Sequence, residues 1–142
     1  MMSGFNIRYV LEADRAFWFT LDRHLRASEF ELKVRDKRGY IISDGDKPIG
    51  VMRYNLFWDS IPFLTLIKLD GLYQRKGFGK QAMLYWENEM RELGCKMVMT
   101  STQVDEEAQH FYRKLGYKDR GGIFLDNTPL EQPQEMFMLK VL

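Results

Sequence analysis

The segment LYQRKGFGKQAM, residues 72–83, constrains the fold of this chain more than any other stretch. It follows a dense apolar run and opens a stretch with helical spacing, so it marks a strand-to-helix junction. Gly77 and Gly79 remove two side chains at that junction, while Arg75, Lys76 and Lys80 surround them with positive charge. A helix N-terminus presents unpaired backbone N–H groups and the positive end of the peptide dipoles. Missing Cβ atoms let an anion reach those amides. The junction suits a phosphate-bearing ligand, a property that several folds share.

The flanking elements narrow the class. FNIRYV (Phe5–Val10) alternates like a half-buried strand. Residues 12–26 place Ala13, Ala16, Phe17, Leu21 and Leu25 mostly at helical spacing. Ser28 with Glu31 forms the capping-box signature of a second helix ending near Gly39. Its cations Lys33, Arg35, Lys37 and Arg38 read as a solvated face. YIISD and PIGVMRYNLFW flank DGDK, in which Asp44–Gly45 is a strong hairpin signal. Asp59–Ser60 turns the chain into residues 61–69, whose apolar density predicts a strand buried on both faces at mid-sheet.

The helix opened by the glycine segment runs to about Leu93, with Gly94 as its stop. Lys96–Thr102 is a further strand. Asp105–Leu115 is a further helix, with Asp105 as its N-cap and Gly116 at its end. Two strands close the chain, one from near Tyr117 and one over EMFMLKVL, with Pro129 and Pro133 in the loop between them. One α+β domain spanning residues 1–142, with a mixed sheet, is the economical arrangement.

Composition excludes whole classes of function. Hydrophobic residues at 45% and aromatic residues at 14% supply a core, so the chain is not of the disordered type. Twenty-one Lys+Arg against 20 Asp+Glu leave a formal net charge of +1, without the overall positive field that nucleic-acid binding uses. The single cysteine, Cys95, cannot close an intramolecular disulfide and reads as a small core or helix-end residue. With no signal-like start, this points to the reducing cytoplasm. No apolar run approaches the ~18 residues of a membrane span. Met1–Met2 and Ser3–Gly4 read as an untethered terminus, and no His/Cys/Asp cluster has metal-ligand spacing.

Known phosphate motifs fit the glycine segment unequally. Gly77-x-Gly79-x-x-Ala82 matches the dinucleotide pattern, but that fold needs an acidic residue about 20 positions on, at the end of the next strand. Here that strand ends in Thr100–Ser101–Thr102. A P-loop fails twice, because Gln81 follows Gly79–Lys80 and Gln74 stands where the first glycine belongs. A merely structural turn explains the glycines and leaves three cations as coincidence.

A third pattern joins two blocks. Gln74-x-x-Gly77-x-Gly79 resembles the pyrophosphate loop of the GNAT family of N-acetyltransferases. Downstream, DEEAQHFYRKLGY resembles that family's N-x-x-A-x-x-F-Y-x-K-x-G-F signature, with Ala108, Phe111, Tyr112, Gly116 and Tyr117 in corresponding positions. The order of the blocks (glycine loop, helix, strand, FY helix) is similar as well. The resemblance implies the GNAT acyl-CoA N-acyltransferase fold, a mixed, mostly antiparallel sheet of six or seven strands with about four helices. It also implies acetyl-CoA as cosubstrate, a primary amine as acceptor, no metal, no nucleic-acid or membrane partner, and a homodimer left open.

Site residues follow from the same resemblance. The central strand is expected to splay from its neighbour, with backbone groups around Leu69, Asp70 and Gly71 holding pantetheine and the acetyl carbonyl. Gln74, Arg75, Lys76, Gly77, Phe78, Gly79 and Lys80 are expected at the pyrophosphate, and Tyr112 as the general acid for the coenzyme sulfur. Asp105 stands where the family often has Asn, and an ionised carboxylate cannot donate to pantetheine, which leaves Gln103 or Thr102 as substitutes. No carboxylate precedes Asp70 in the central strand, so Asp70 is the candidate base or else a turn residue beside Gly71. On the acceptor side, Trp18, Phe19, Tyr54 and Trp58 are candidates for an aromatic wall, and Asp14 or Asp22 for attracting an amine; core aromatics and solvated acids are the plain alternative. His24 and His110 have no assigned chemistry. A non-catalytic acyl-CoA-binding module of the same fold is the rival reading.

Overall fold

A computed structural model describes residues 4–142; residues 1–3, on which the expectation of an untethered terminus falls, lie outside the described residues. Seven strands form one mixed sheet in the order β1-β2-β3-β4-β5-β7-β6. They are β1 (Phe5–Tyr9), β2 (Gly39–Asp44), β3 (Lys47–Phe57), β4 (Ile61–Leu69), β5 (Met97–Gln103), β6 (Lys118–Ile123) and β7 (Glu135–Val141). Four helices accompany them: α1 (Arg15–Leu21), α2 (Ala27–Asp36), α3 (Phe78–Glu92) and α4 (Ala108–Lys114). Among the described residues, no helix is long and apolar enough to cross a membrane. The chain divides into two units, one running through Asn55 and resuming over Thr65–Trp86, the other comprising Leu56–Leu64 and Glu87–Leu142.

In the first unit, β1 and β2 run antiparallel with Tyr9 opposite Tyr40, and β2 and β3 form a hairpin with Asp44 opposite Lys47. Gly45, at φ +60°, takes the left-handed backbone that this two-residue turn needs. A core of Val10, Trp18, Phe30, Ile41 and Val51, with Phe17, Leu21 and Val34 packed against it, joins α1 and α2 to these strands. Gly39 starts β2 rather than ending a helix. A Cβ there would come within 2.8 Å of Val10 Cγ1, so the glycine permits close packing.

Three expectations change in this unit. The first helix stops at Leu21, because the chain turns extended at Asp22 and carries that carboxylate inward. Asp22 accepts from Trp18 Nε1 at 3.0 Å and from Arg53 Nε at 2.8 Å. The second helix starts at Ala27, so Ser28 lies inside its first turn and caps nothing; Glu31 instead meets Arg15 Nη2 at 3.2 Å. Lys33 is not on the solvated face. It is buried and donates to Tyr54 O at 3.0 Å, and burial, reinforced by Arg53, lowers its pKa.

In the second unit, β4 and β5 run parallel, with Phe63 opposite Met99 and Leu64 opposite Thr100. β7 lies antiparallel between β5 and β6. A buried carboxylate, Glu87 on α3, accepts from Tyr117 Oη at 2.8 Å and Lys140 Nζ at 2.7 Å. β4 holds the central place in the strand order but is not buried on both faces: Pro62 and Leu64 are buried, while Thr65 and Lys68 are exposed. The helix after β5 begins at Ala108, three residues later than expected. Asp105 is an exposed turn residue and not its N-cap. Glu106 Oε1 takes the Gln103 N–H at 3.0 Å, and Gln109 Nε2 donates to Val104 O and Glu106 O, so longer side chains tie this entry.

Candidate active site

The phosphate-binding candidate lies wholly in the first unit. β4 ends at Leu69, and a single 3₁₀ turn, Gly71–Tyr73, leads into the glycine segment. Asp70 N donates to Ile49 O at 2.7 Å, which anchors the strand end. Asp70 Oδ1 accepts from Leu72 N at 3.0 Å, giving this carboxylate a turn-capping role. Gln74 reaches back with Nε2 to Leu69 O at 3.2 Å and so ties the loop to the strand.

Two left-handed residues, Arg75 at φ +61° and Gly77 at φ +88°, turn the chain into α3. Gln81 N bonds Gly77 O at 3.1 Å, the first rung of the helix. The amides of Phe78, Gly79 and Lys80 precede that rung and have no intrahelical acceptor. Phe78 is buried, its ring 5.7 Å from Tyr73 and 6.4 Å from Phe5, and it pins the helix start. Arg75, Lys76 and Lys80 stay exposed around those amides. Free amides, a dipole terminus, a glycine at positive φ and three solvent-facing cations make an anion cradle.

The proton-donor candidate lies wholly in the second unit. Tyr112 is 7% exposed, its ring set edge-on to Phe111 at 5.4 Å and to Tyr117 at 5.8 Å. Burial pushes its pKa up, the Thr100 side chain opposes that, and Glu106 and Glu135 add to the rise. The group is therefore a neutral phenol at physiological pH, which is the form that can donate. Tyr117 is likewise held protonated, by burial first and then by the Glu87 carboxylate.

The aromatic wall is largely dissolved by the structure. Trp18 and Tyr54 are core residues, Trp18 edge-on to Phe30 and Tyr54 5.7 Å from Trp86. Phe19 packs 5.5 Å from Phe30. Trp58 alone of the four faces solvent, at 80% exposure on the turn between β3 and β4. Its ring lies 4.7 Å from Phe57, which clusters with Phe63 and Phe137. The alternation in EMFML carries Phe137, though its partners lie too far off in sequence to read. Asp14 and Asp22 are both committed to arginines, Asp14 to Arg8 at 2.8 Å. His24 and His110 are exposed, and no three His, Cys, Asp or Glu side chains gather as a metal set among the described residues.

A mixed sheet with a parallel central pair, a helix opened by a glycine turn after the fourth strand and a further helix after the fifth make up an acyltransferase-type α+β fold. The model of the acetyltransferase (GNAT) family matches residues 7–117, and the chain belongs to that family. No curated protein sequence matches it. Ard1 from Thermoplasma volcanium superposes with a TM-score of 0.84 at 16% identity, covering 98% of each chain. A GNAT acetyltransferase from Elizabethkingia anophelis with acetyl-CoA bound gives a TM-score of 0.79 at 14% identity, over 99% of each chain. Naa50 from Arabidopsis thaliana, in complex with the bisubstrate analogue CoA-Ac-MVNAL, gives 0.81 at 12% identity, over 98% of this chain and 99% of that one. Identities this low carry the fold and leave the acceptor open.

Proposed function

We propose that this chain is a single catalytic domain, an acetyl-CoA-dependent N-acetyltransferase that passes the acetyl group directly to the primary amine of a small molecule or of an amino-acid-like acceptor. The observation that carries the reading is Tyr112, a phenol kept neutral by burial. A module that only binds acyl-CoA has no use for a poised proton donor. Acetyl transfer needs three things: a neutral amine, a donor to the developing oxyanion, and a proton for the departing thiolate.

In this reading, Gln74, Arg75, Lys76, Gly77, Phe78, Gly79 and Lys80 bind the pyrophosphate, chiefly through backbone amides. The backbone of Leu69 and Gly71 serves pantetheine and the acetyl carbonyl. Asp105 lies beside the coenzyme without donating, and Tyr112 supplies the proton to sulfur. Asp70 takes the amine proton, directly or through water, using the carboxylate oxygen that does not cap Leu72. An amine near the lysine reference pKa of about 10.4 needs such help, while a less basic one does not. No step calls for a metal. The single cysteine and near-neutral net charge support a cytoplasmic enzyme working on soluble acceptors, apart from nucleic acid and membrane.

The test is coenzyme A release from acetyl-CoA with a panel of free amino acids, other small amines and short peptides with free N-termini. The peptides belong there because the Naa50 neighbour was solved with a peptide-bearing analogue. Release with a small amine is expected. Tyr112→Phe should lower turnover about a hundredfold with little change in acetyl-CoA affinity. Asp70→Asn, which keeps the turn, should slow basic amines most. Tight acetyl-CoA binding without release from any amine would mark a binding module instead.

A further inference from the structure

The C-terminal stop of α4 ties Tyr112 to Tyr117. Gly116 takes the left-handed backbone at φ +99°, its N–H donates to Arg113 O at 3.0 Å, and the Tyr117 N–H donates to Tyr112 O at 3.1 Å. That pair of bonds is the Schellman motif, in which the residue after the glycine often packs on the residue five positions back. Here those side chains are Tyr117 and Tyr112, set edge-on with ring centroids 5.8 Å apart. The motif needs only an apolar contact at this point. This one ends in a phenol whose far end is held in turn. Tyr117 Oη donates to one carboxylate oxygen of Glu87 on α3 at 2.8 Å, and Lys140 of β7 donates to the other at 2.7 Å.

We propose that Tyr117 is a positioning residue for proton transfer: clamped by Glu87, it fixes the direction of the Tyr112 ring. This rests on the reading of Tyr112 as the proton donor. In that step the Tyr112 O–H bond breaks and an S–H bond forms on the departing coenzyme A. The phenolate then recovers the proton given up by the attacking nitrogen, carried by water. A donor works only within hydrogen-bond reach of the atom it serves, so a ring that swings spends less time in place. A phenylalanine would fill the Tyr117 site without a buried acid beside it, and taking a carboxylate out of water is costly. What the phenol adds is a strong, charge-assisted bond that ties the end of α4 to α3. Phe111, the other ring against Tyr112 at 5.4 Å, sits on the same helix and ties it to nothing else in this way. Tyr117 is no donor to the coenzyme itself, because its proton is spent on Glu87.

Turnover is measured for Tyr117→Phe, Tyr112→Phe and the double variant, using the panel amine that releases coenzyme A fastest. Each protein is first shown by thermal melting to be folded at the assay temperature. Tyr117→Phe keeps the ring and frees it from Glu87, so kcat should fall about fivefold with the KM for acetyl-CoA unchanged. In the Tyr112→Phe background the same change should have no further effect, because Tyr117 acts only through that phenol. Should the stranded Glu87 impair folding, Tyr117→Phe with Glu87→Leu and Lys140→Met replaces the clamp by apolar side chains and gives the same two readings. Wild-type kcat in a folded Tyr117→Phe variant overturns the inference. An equal loss in both backgrounds also overturns it, since that is what a general packing effect gives. Both results leave Tyr112 as donor. A Tyr112→Phe variant with full turnover overturns the donor reading, and this one with it.

Discussion

Gly77 holds φ at +88°, in the region where an L side chain meets its own backbone, and the next residue starts α3. The same short turn keeps Arg75 at φ +61°, a conformation that costs a non-glycine residue about 1 kcal/mol. Strain of this kind persists where the backbone must aim groups at something, here the amides of Phe78, Gly79 and Lys80. Gly77→Ala should therefore do two separable things. It should destabilise the fold by about 1 kcal/mol, read by chemical denaturation, and weaken acetyl-CoA binding roughly tenfold, read by calorimetry. Gly79 lies inside the helix without positive φ, so Gly79→Ala should spare stability and affect binding alone. Equal stability losses at both positions with unchanged acetyl-CoA affinity would mean that folding demands, and not the ligand, explain the glycines.

Among the elements, α3 carries two roles along one length. Its first turn presents the amides, and its second half bears Glu87, buried with a side-chain exposure of 0% and paired with Lys140 of β7. Lys140→Met should cost about 3 kcal/mol, because it leaves a buried carboxylate with Tyr117 as its remaining partner. Glu87→Gln with Lys140→Met together should recover much of that loss in denaturant melts, since the isolated charge is gone. A double variant as unstable as the single one would show that packing, not charge, carries the effect. Nothing in WENEM distinguishes Glu87 from its neighbours, because Lys140 is 53 residues away.

The same limit governs what was legible elsewhere. Strand and helix order followed from periodicity, from Asp44–Gly45 and from Gly94 at φ +89°, all local signals. Helix starts were misread at Ser28 and Asp105, where cap-forming residue types are present but the chain enters the helix elsewhere. The inward turn of Asp22 depends on Arg53, which lies 31 residues on. The glycine loop was readable because its chemistry is contiguous. The buried Thr100 hydroxyl was not, because its acceptor, Leu64 O, lies on a neighbouring strand 36 residues away.

For the whole molecule, the carboxylates that titrate away from their ordinary range set the acid limit of stability. Asp14 is held below the usual carboxylate range by hydrogen bonds from Arg8 first, with further help from the Leu11 N–H. Asp119 is lowered by Arg113, but that pair is exposed on both sides and screened by solvent. A carboxyl group with a depressed pKa in the folded state adds stability above its unfolded value, and that stability is lost as pH falls through the folded value. The loss should therefore begin near pH 4 and deepen below it, with Asp14, at 13% side-chain exposure, contributing more than Asp119. Asp14→Asn should lower stability at pH 7 and flatten the acid slope below pH 4, whereas Asp119→Asn should leave that slope nearly unchanged at physiological salt. Thermal melts of the three proteins between pH 3 and pH 7 check this. Parallel curves for the Asp14 variant and the parent would assign acid unfolding to other carboxylates and reduce the Arg8–Asp14 pair to a surface contact.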